Sequence, residues 1–262
     1  MLTNKLAMVT AIAFAGPAAA FEHLRTELSL GYEDYSIEDV TIDGPFAGVK
    51  TDFGFSDTFG LQANLSYGER TFESSSVPLE TTTIGLHPYY DFGGAFRAGI
   101  FLQHTKLEEG NSSADIEAYG IEGIFNPLPN LALEGYVGAG RIDQVFDEID
   151  LRTIGMKATY GFTPQMAGRF SAEFDTLDSS GSMGGGDVQF SNYILGFDYH
   201  FGGAGSAVPV VLSAEIGQFD DGNVFDRMAI KLTVPLGGGS DTGGRRLYGD
   251  RSVVAQYLVP TP

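Results

Sequence analysis

Apolar side chains recur at every second residue along most of this chain, and no segment carries a persuasive helical stripe. From Phe59 to Arg70, Leu61, Ala63, Leu65 and Tyr67 share one parity, while Gln62, Asn64, Ser66, Gly68 and Arg70 share the other. Successive strand side chains point to opposite faces, so this segment is a strand with one apolar and one polar side. Ile154 to Phe162, Met228 to Val234, Phe96 to Leu102, Val210 to Ile216 and Tyr193 to Phe201 repeat the pattern. It predicts strands over 23–35, 45–56, 58–72, 81–92, 95–107, 114–125, 130–142, 151–162, 166–176, 188–201, 208–218 and 225–236. In 45–56 the polar face holds Lys50 and Asp52, and in 114–125 either parity is tolerable.

The connections alternate as well. Those after the odd-numbered strands read as longer and acidic. They carry Glu38, Asp39 and Asp43; Glu73 and Glu80; Glu108, Glu109 and Asp115; Asp143, Asp147, Glu148 and Asp150; Asp178 and Asp187; and Asp220, Asp221 and Asp226. The intervening turns are mostly tight, at Ser56-Asp57-Thr58, Gly93-Gly94, 126–130 and Thr163-Pro164-Gln165, and only 202–209 is longer. Aromatics bank beside them: Phe53, Phe55 and Phe59; Tyr90, Phe92 and Phe96; Phe125; Tyr160 and Phe162; Tyr199 and Phe201. Such rings favour a membrane–water boundary.

The first twenty residues read as a secretory signal. Lys5 is the positive region, Leu6 to Phe14 the apolar core, Gly16-Pro17 the break, and Ala18-Ala19-Ala20 a cleavage site before Phe21. No later run approaches the ~18–20 apolar residues of a membrane helix, so a membrane form of this chain must be a closed barrel. The formal charge is −19, and loss of Lys5 takes the mature chain to about −20 (−19 minus +1). That balance argues against nucleic acid as a partner. Cysteine is absent, which excludes disulfides and thiolate chemistry. The 36 Gly, 20 Phe and 12 Tyr suit twisted strands, tight turns and aromatic girdles, although there is no Trp.

On signal, dyad pattern, girdle and loop asymmetry, residues 21–237 resemble the bacterial outer-membrane β-barrel superfamily, in particular a porin-like protein. The resemblance implies an all-β, closed, antiparallel up-and-down transmembrane barrel of about twelve strands. Both termini would be periplasmic, and outer-membrane lipid would surround it. Many members end in a strand with a terminal aromatic; this chain instead continues through Gly237-Gly238-Gly239 to Pro262. The alternative fold is an exported all-β sandwich, whose strands also alternate.

A barrel of this parity puts Arg70, Arg97, Glu134, Lys157, Arg169, Glu173, Asp198, Glu215, Arg227 and Lys231 in its lumen, as candidate lumen and selectivity residues. Arg25, Glu27, Lys50, Asp52 and Asp175 join them. Charged rings set pore selectivity, so one reading is a passive pore for small hydrophilic solutes, with Gly99, Gly138, Gly155, Gly196 and Gly217 keeping the wall thin. The other is a lumen closed by salt bridges. Eight strands are filled by side chains and sixteen leave a channel, so twelve decides nothing.

Little points to catalysis. The glycine runs at 135–140 and 184–186 open no helix, which a phosphate loop requires. His23, His87, His104 and His200 lack metal-ligand spacing. Some barrels of the superfamily are lipid hydrolases using Ser and His, but neither His87-Pro88-Tyr89 nor His104-Thr105-Lys106 offers the serine. No cofactor is expected. Asp220-Asp221-Gly222-Asn223 and the other acidic connections are candidates for divalent cations, or simply for solubility. The tail, 238–262, carries Arg245, Arg246 and Arg251, then an apolar run from Ser252 to Val259. It is expected either to tuck into the lumen as a plug or to extend freely.

Overall fold

A computed structural model describes residues 22–37, 40–72, 77–93, 95–143, 148–178, 187–201, 209–220, 224–236 and 248. Every element among them is a strand. In order these are β1 (Glu22–Ile37), β2 (Val40–Gly54), β3 (Phe59–Phe72), β4 (Leu79–Asp91), β5 (Phe96–Glu109), β6 (Ser112–Leu128), β7 (Leu131–Asp143), β8 (Glu148–Thr163), β9 (Met166–Asp178), β10 (Asp187–Phe201), β11 (Val210–Asp220) and β12 (Val224–Leu236). Each pairs antiparallel with its sequence neighbours, and β1 pairs with β12 from Thr26↔Leu236 to Ser36↔Asp226. The ladder therefore closes into a twelve-strand barrel with no free edge. A two-sheet sandwich does not describe this chain. The expected signal, 1–20, lies outside the described residues, as does the tail except for Tyr248.

The barrel is apolar outside and polar inside. Leu30, Ile84, Ile121, Ile154, Met156, Leu195, Ile216 and Ile230 all stand exposed on the outer wall. A soluble protein would bury such a band, whereas lipid covers it at no cost. One rim carries Glu22 and Leu236 and is called here the near rim. Around it Phe55 and Phe59, Tyr90 and Phe92, Tyr160 and Phe162, and Tyr199 and Phe201 pair with ring centroids 4.8–5.5 Å apart. These are the predicted girdle residues. Register shifts between His23 and Arg25, Phe125 and Leu128, and Gly161 and Thr163 all fall at this rim. Bulges there bend the strands where pairing ends.

The far rim differs from expectation. Its connections are not uniformly longer, because the strands run on into the acidic segments. β1 ends at Ile37 and β2 begins at Val40; β5 ends at Glu109 and β6 begins at Ser112. Gly110 makes the second of these turns tight, with a left-handed φ of 59°. Asp43, Glu80, Glu108, Glu109, Asp115, Asp143, Asp150, Asp178, Asp220 and Asp226 thus sit on strands. Strand pairing satisfies the backbone in water as well as in lipid, so it continues past the lipid band. Outward acids there meet solvent and basic side chains: Arg141 lies 3.1 Å from Glu117, and His104 lies 3.3 Å from Asp115.

Candidate functional site

The inward side chains form three levels. At the far end they are apolar. Tyr35, Ile42, Phe72, Leu79, Phe101, Leu107, Ile116, Ala118, Ile142, Leu151 and Leu177 form one buried cluster drawn from β1 to β9. Phe101 and Ile142 are 0 % exposed. Lumen-facing groups in a water-filled channel cannot be that dry, so this end of the barrel is packed. The thin-wall glycines contribute to the packing. A Cβ on Gly138 would lie 2.5 Å from the Phe101 ring, and one on Gly155 would lie 2.3 Å from the Tyr136 ring. The space left at Gly138 and Gly155 is filled by aromatics, and that at Gly196 by the Arg169 guanidinium.

Below this cluster, charges of alternating sign form an unbroken chain. Arg70 Nε donates to Glu33 Oε1 at 3.0 Å, and Tyr35 Oη donates to Glu33 Oε2 at 2.9 Å. Arg227 Nε donates to Tyr35 Oη at 3.0 Å, and its Nη1 to Glu215 Oε2 at 2.8 Å. Arg169 Nη2 donates to Glu215 Oε1 at 3.0 Å and to Asp198 Oδ1 at 2.9 Å. Register explains how long side chains fit. Glu33 and Glu215 both lie opposite Ala229, Arg227 opposite Gly217, and Arg169 opposite Gly196. Each large charged group thus faces a small neighbour. Glu33 and Glu215 each sit between two arginines, and that doubling offsets the cost of taking a carboxylate out of water.

The opposite wall carries a second hydrogen-bonded network and one residue from the tail. His87 Nδ1 is 3.0 Å from Glu122 Oε1, and its Nε2 is 3.0 Å from Asn64 Nδ2. Gln62 Nε2 donates to Asn64 Oδ1 at 2.6 Å. Tyr89 Oη donates to Asp52 Oδ1 at 2.7 Å, and the Arg97 guanidinium lies 4.2 Å from the Tyr89 ring centre. Tyr248 is 0 % exposed among these groups.

Toward the near rim the lumen opens into a cavity of about 470 Å³, whose lining includes Arg25, Glu134, Lys157, Arg169, Asp198 and Lys231. Lys157 Nζ is 2.6 Å from Glu134, and Arg25 Nη2 is 2.5 Å from Glu27. The ten candidate residues therefore divide. Glu134, Lys157, Arg169, Asp198 and Lys231 line the cavity. Arg70, Arg97, Glu173 and Arg227 are 5–7 % exposed and serve the packed interior, while Glu215 bridges the two groups through Arg169 and Arg227. Sequence reasoning missed Glu33, Tyr35, Gln62, Asn64, Glu122 and Tyr248. Glu33 and Tyr35 share lumen parity with Arg25 and Glu27 and were readable on that basis; nothing in the sequence marked Tyr248. Among the described residues, no group of three or more His, Asp or Glu side chains is placed to hold a metal ion. Asp221, Gly222 and Asn223 lie outside those residues.

No protein-family model and no curated protein matches the sequence. Solved structures do match in fold. An outer membrane channel from Pseudomonas putida F1 aligns with a TM-score of 0.63 at 10 % identity, covering 85 % of this chain and 100 % of that one. The translocator domain of the autotransporter NalP from Neisseria meningitidis aligns at 0.52 and 13 %, covering 90 % and 94 %. The NanC porin aligns at 0.51 and 7 %, covering 78 % and 98 %. The chain shares the closed antiparallel β-barrel fold of these outer-membrane proteins. At such identities the likeness is one of fold alone.

Proposed function

We propose that this protein is a channel-type barrel of a Gram-negative outer membrane. It would pass small hydrophilic solutes by diffusion, without a catalytic step, and its present conformation is closed. The observation that carries this reading is the polar cavity at the near rim, where paired charges of both signs line a space of about 470 Å³. A barrel filled only for stability has no need of partly hydrated lysines there. Lys157 and Lys231 keep 29 % and 28 % side-chain exposure. The near rim, with its aromatic girdle and both ends of the ladder, is the periplasmic one in this reading, and the acidic far rim faces outward, where divalent cations bridging surface lipid are its natural partners.

Recording from refolded protein in planar bilayers tests the proposal. Small, weakly ion-selective conductance steps are expected, with longer openings when residues 238–262 are removed. Silence from both proteins at every salt concentration and voltage would defeat it. A second reading, a closed structural or adhesion barrel, is favoured specifically by the apolar far end, and it predicts that silence. Hydrolysis of a lipid or ester, lost on one Ser or His substitution, would instead point to a membrane-embedded hydrolase.

A further inference from the structure

Tyr248 belongs to the tail in sequence but to the lumen in space. β12 ends at Leu236 on the near rim. Residues 237–248 can span about 40 Å when extended, which is length enough to join the two. There Tyr248 meets residues of β2, β3 and β4. The backbone N–H of Tyr248 donates to Gln62 Oε1 at 2.7 Å, and its carbonyl accepts from Gln62 Nε2 at 3.1 Å and from Lys50 Nζ at 3.4 Å. Its ring stacks on His87, with centroids 5.7 Å apart and an interplanar angle of 8°, and lies 6.2 Å from the Tyr89 ring. One carboxamide thus reads both backbone groups of a residue whose ring is held by two aromatics.

The orientation of that carboxamide is set from a distance. The Glu122 carboxylate only accepts, so His87 Nδ1 carries the proton and donates. His87 Nε2 is then bare and accepts from Asn64 Nδ2. That turns Asn64 Oδ1 toward Gln62 Nε2, and hence Gln62 Oε1 toward the Tyr248 N–H. Four wall residues on β3, β4 and β6 thereby form a chain with one direction, ending on the tail.

We infer that Tyr248 pins the tail to the lumen wall, and that His87 is the positioning residue that presets Gln62 to receive it. Both roles rest on geometry alone and are independent of the channel reading above.

Trypsin digestion of the full chain in detergent micelles tests the docking at Arg245 and Arg246. Loss of ring contacts in Tyr248→Ala should speed cleavage there about tenfold, in keeping with the worth of a buried aromatic pair. Gln62→Leu should act in the same direction. His87→Leu should also speed it, whereas His87→Gln, which offers Asn64 an acceptor oxygen, should stay within about threefold of wild type. Wild-type cleavage as fast as that of Tyr248→Ala would overturn the pin. Equal rates for His87→Leu and His87→Gln would overturn the positioning role. Tyr248→Ala lies outside the strands, so it keeps the test usable if a wall variant fails to fold. Bilayer recordings on the same proteins separate the two readings. Freed tails with no current would leave the docking intact and sink the channel.

Discussion

The two ends of the lumen hold the same twelve strands at the same parity, yet they are filled by different means. At the far end Phe101, Ile116, Ile142 and Leu151 pack together with exposures of 0–1 %. At the near end Lys157, Arg169 and Lys231 retain 21–29 % exposure beside their carboxylates. Between them lies the ion chain centred on Arg227. Apolar packing excludes water because any gap forfeits contact on all sides. Paired charges with partial exposure keep water, because the unpaired lobes of each group still need it. The far half is therefore dry and packed, and the near half holds hydrated charge.

The boundary between the halves is where substitution should cost most. Arg227→Leu leaves Glu33 and Glu215 each short of one cation in a dry setting. Breaking a buried pair in this way costs about 3–5 kcal/mol. Urea unfolding in lipid vesicles, followed by circular dichroism, should show that loss. A change under about 1 kcal/mol, the scale of an exposed pair, would mean that water already reaches this level and that the two halves are not distinct.

Within the far half, Ile142→Ala removes a fully buried side chain from the cluster. A loss of about 2–5 kcal/mol is expected by the same measurement, as for other large-to-small core changes. Gly138→Ala tests the same packing from the opposite direction. The added methyl would sit 2.5 Å from the Phe101 ring and 2.7 Å from the Tyr119 carbonyl. Overpacking of this kind costs about 1–3 kcal/mol. Should Gly138→Ala prove neutral, Phe101 has free space to move into and the far end is not sealed.

Much of this architecture was legible beforehand. Period-two alternation placed all twelve strands, and the parity that put Arg70, Arg169 and Glu215 inside agrees with the ion chain. The far-end packing was missed for a definable reason. Ile42, Leu79 and Leu177 lie just beyond the predicted strands, but the other eight residues of the cluster sit at lumen parity inside them, where the charged residues made the lumen look polar throughout. On β9, Glu173 and Asp175 continue at one parity to Leu177; on β5, Phe101 and Leu107 already stand at that parity within 95–107. Following lumen parity to the end of each strand brings the apolar ring into view. The tail contact was not legible in this way. Gln62, Asn64 and His87 look like ordinary polar-face residues until the register sets Gln62 opposite His87 and the fold brings Tyr248 between them. No local pattern encodes a contact across 186 residues of sequence.

The smallest expected effect on stability falls on the near half, and there it should be accompanied by a change in selectivity. Lys231 lies 3.9 Å from Glu215, which keeps Arg169 and Arg227 when the lysine is removed. Lys231→Gln should therefore shift unfolding by less than about 1 kcal/mol, as for other partly exposed pairs. It also removes one positive charge from the cavity wall. In a conducting barrel, that change makes the near mouth favour cations, so the reversal potential in a salt gradient should move toward the cation's equilibrium value. Arg227→Leu removes an equal charge from a site that the cavity does not reach, so in any channel that still folds it should move stability far more than selectivity. Opposite rankings of the two variants, with Arg227 governing selectivity and Lys231 governing stability, would invert the division of the lumen and place the constriction at the ion chain itself.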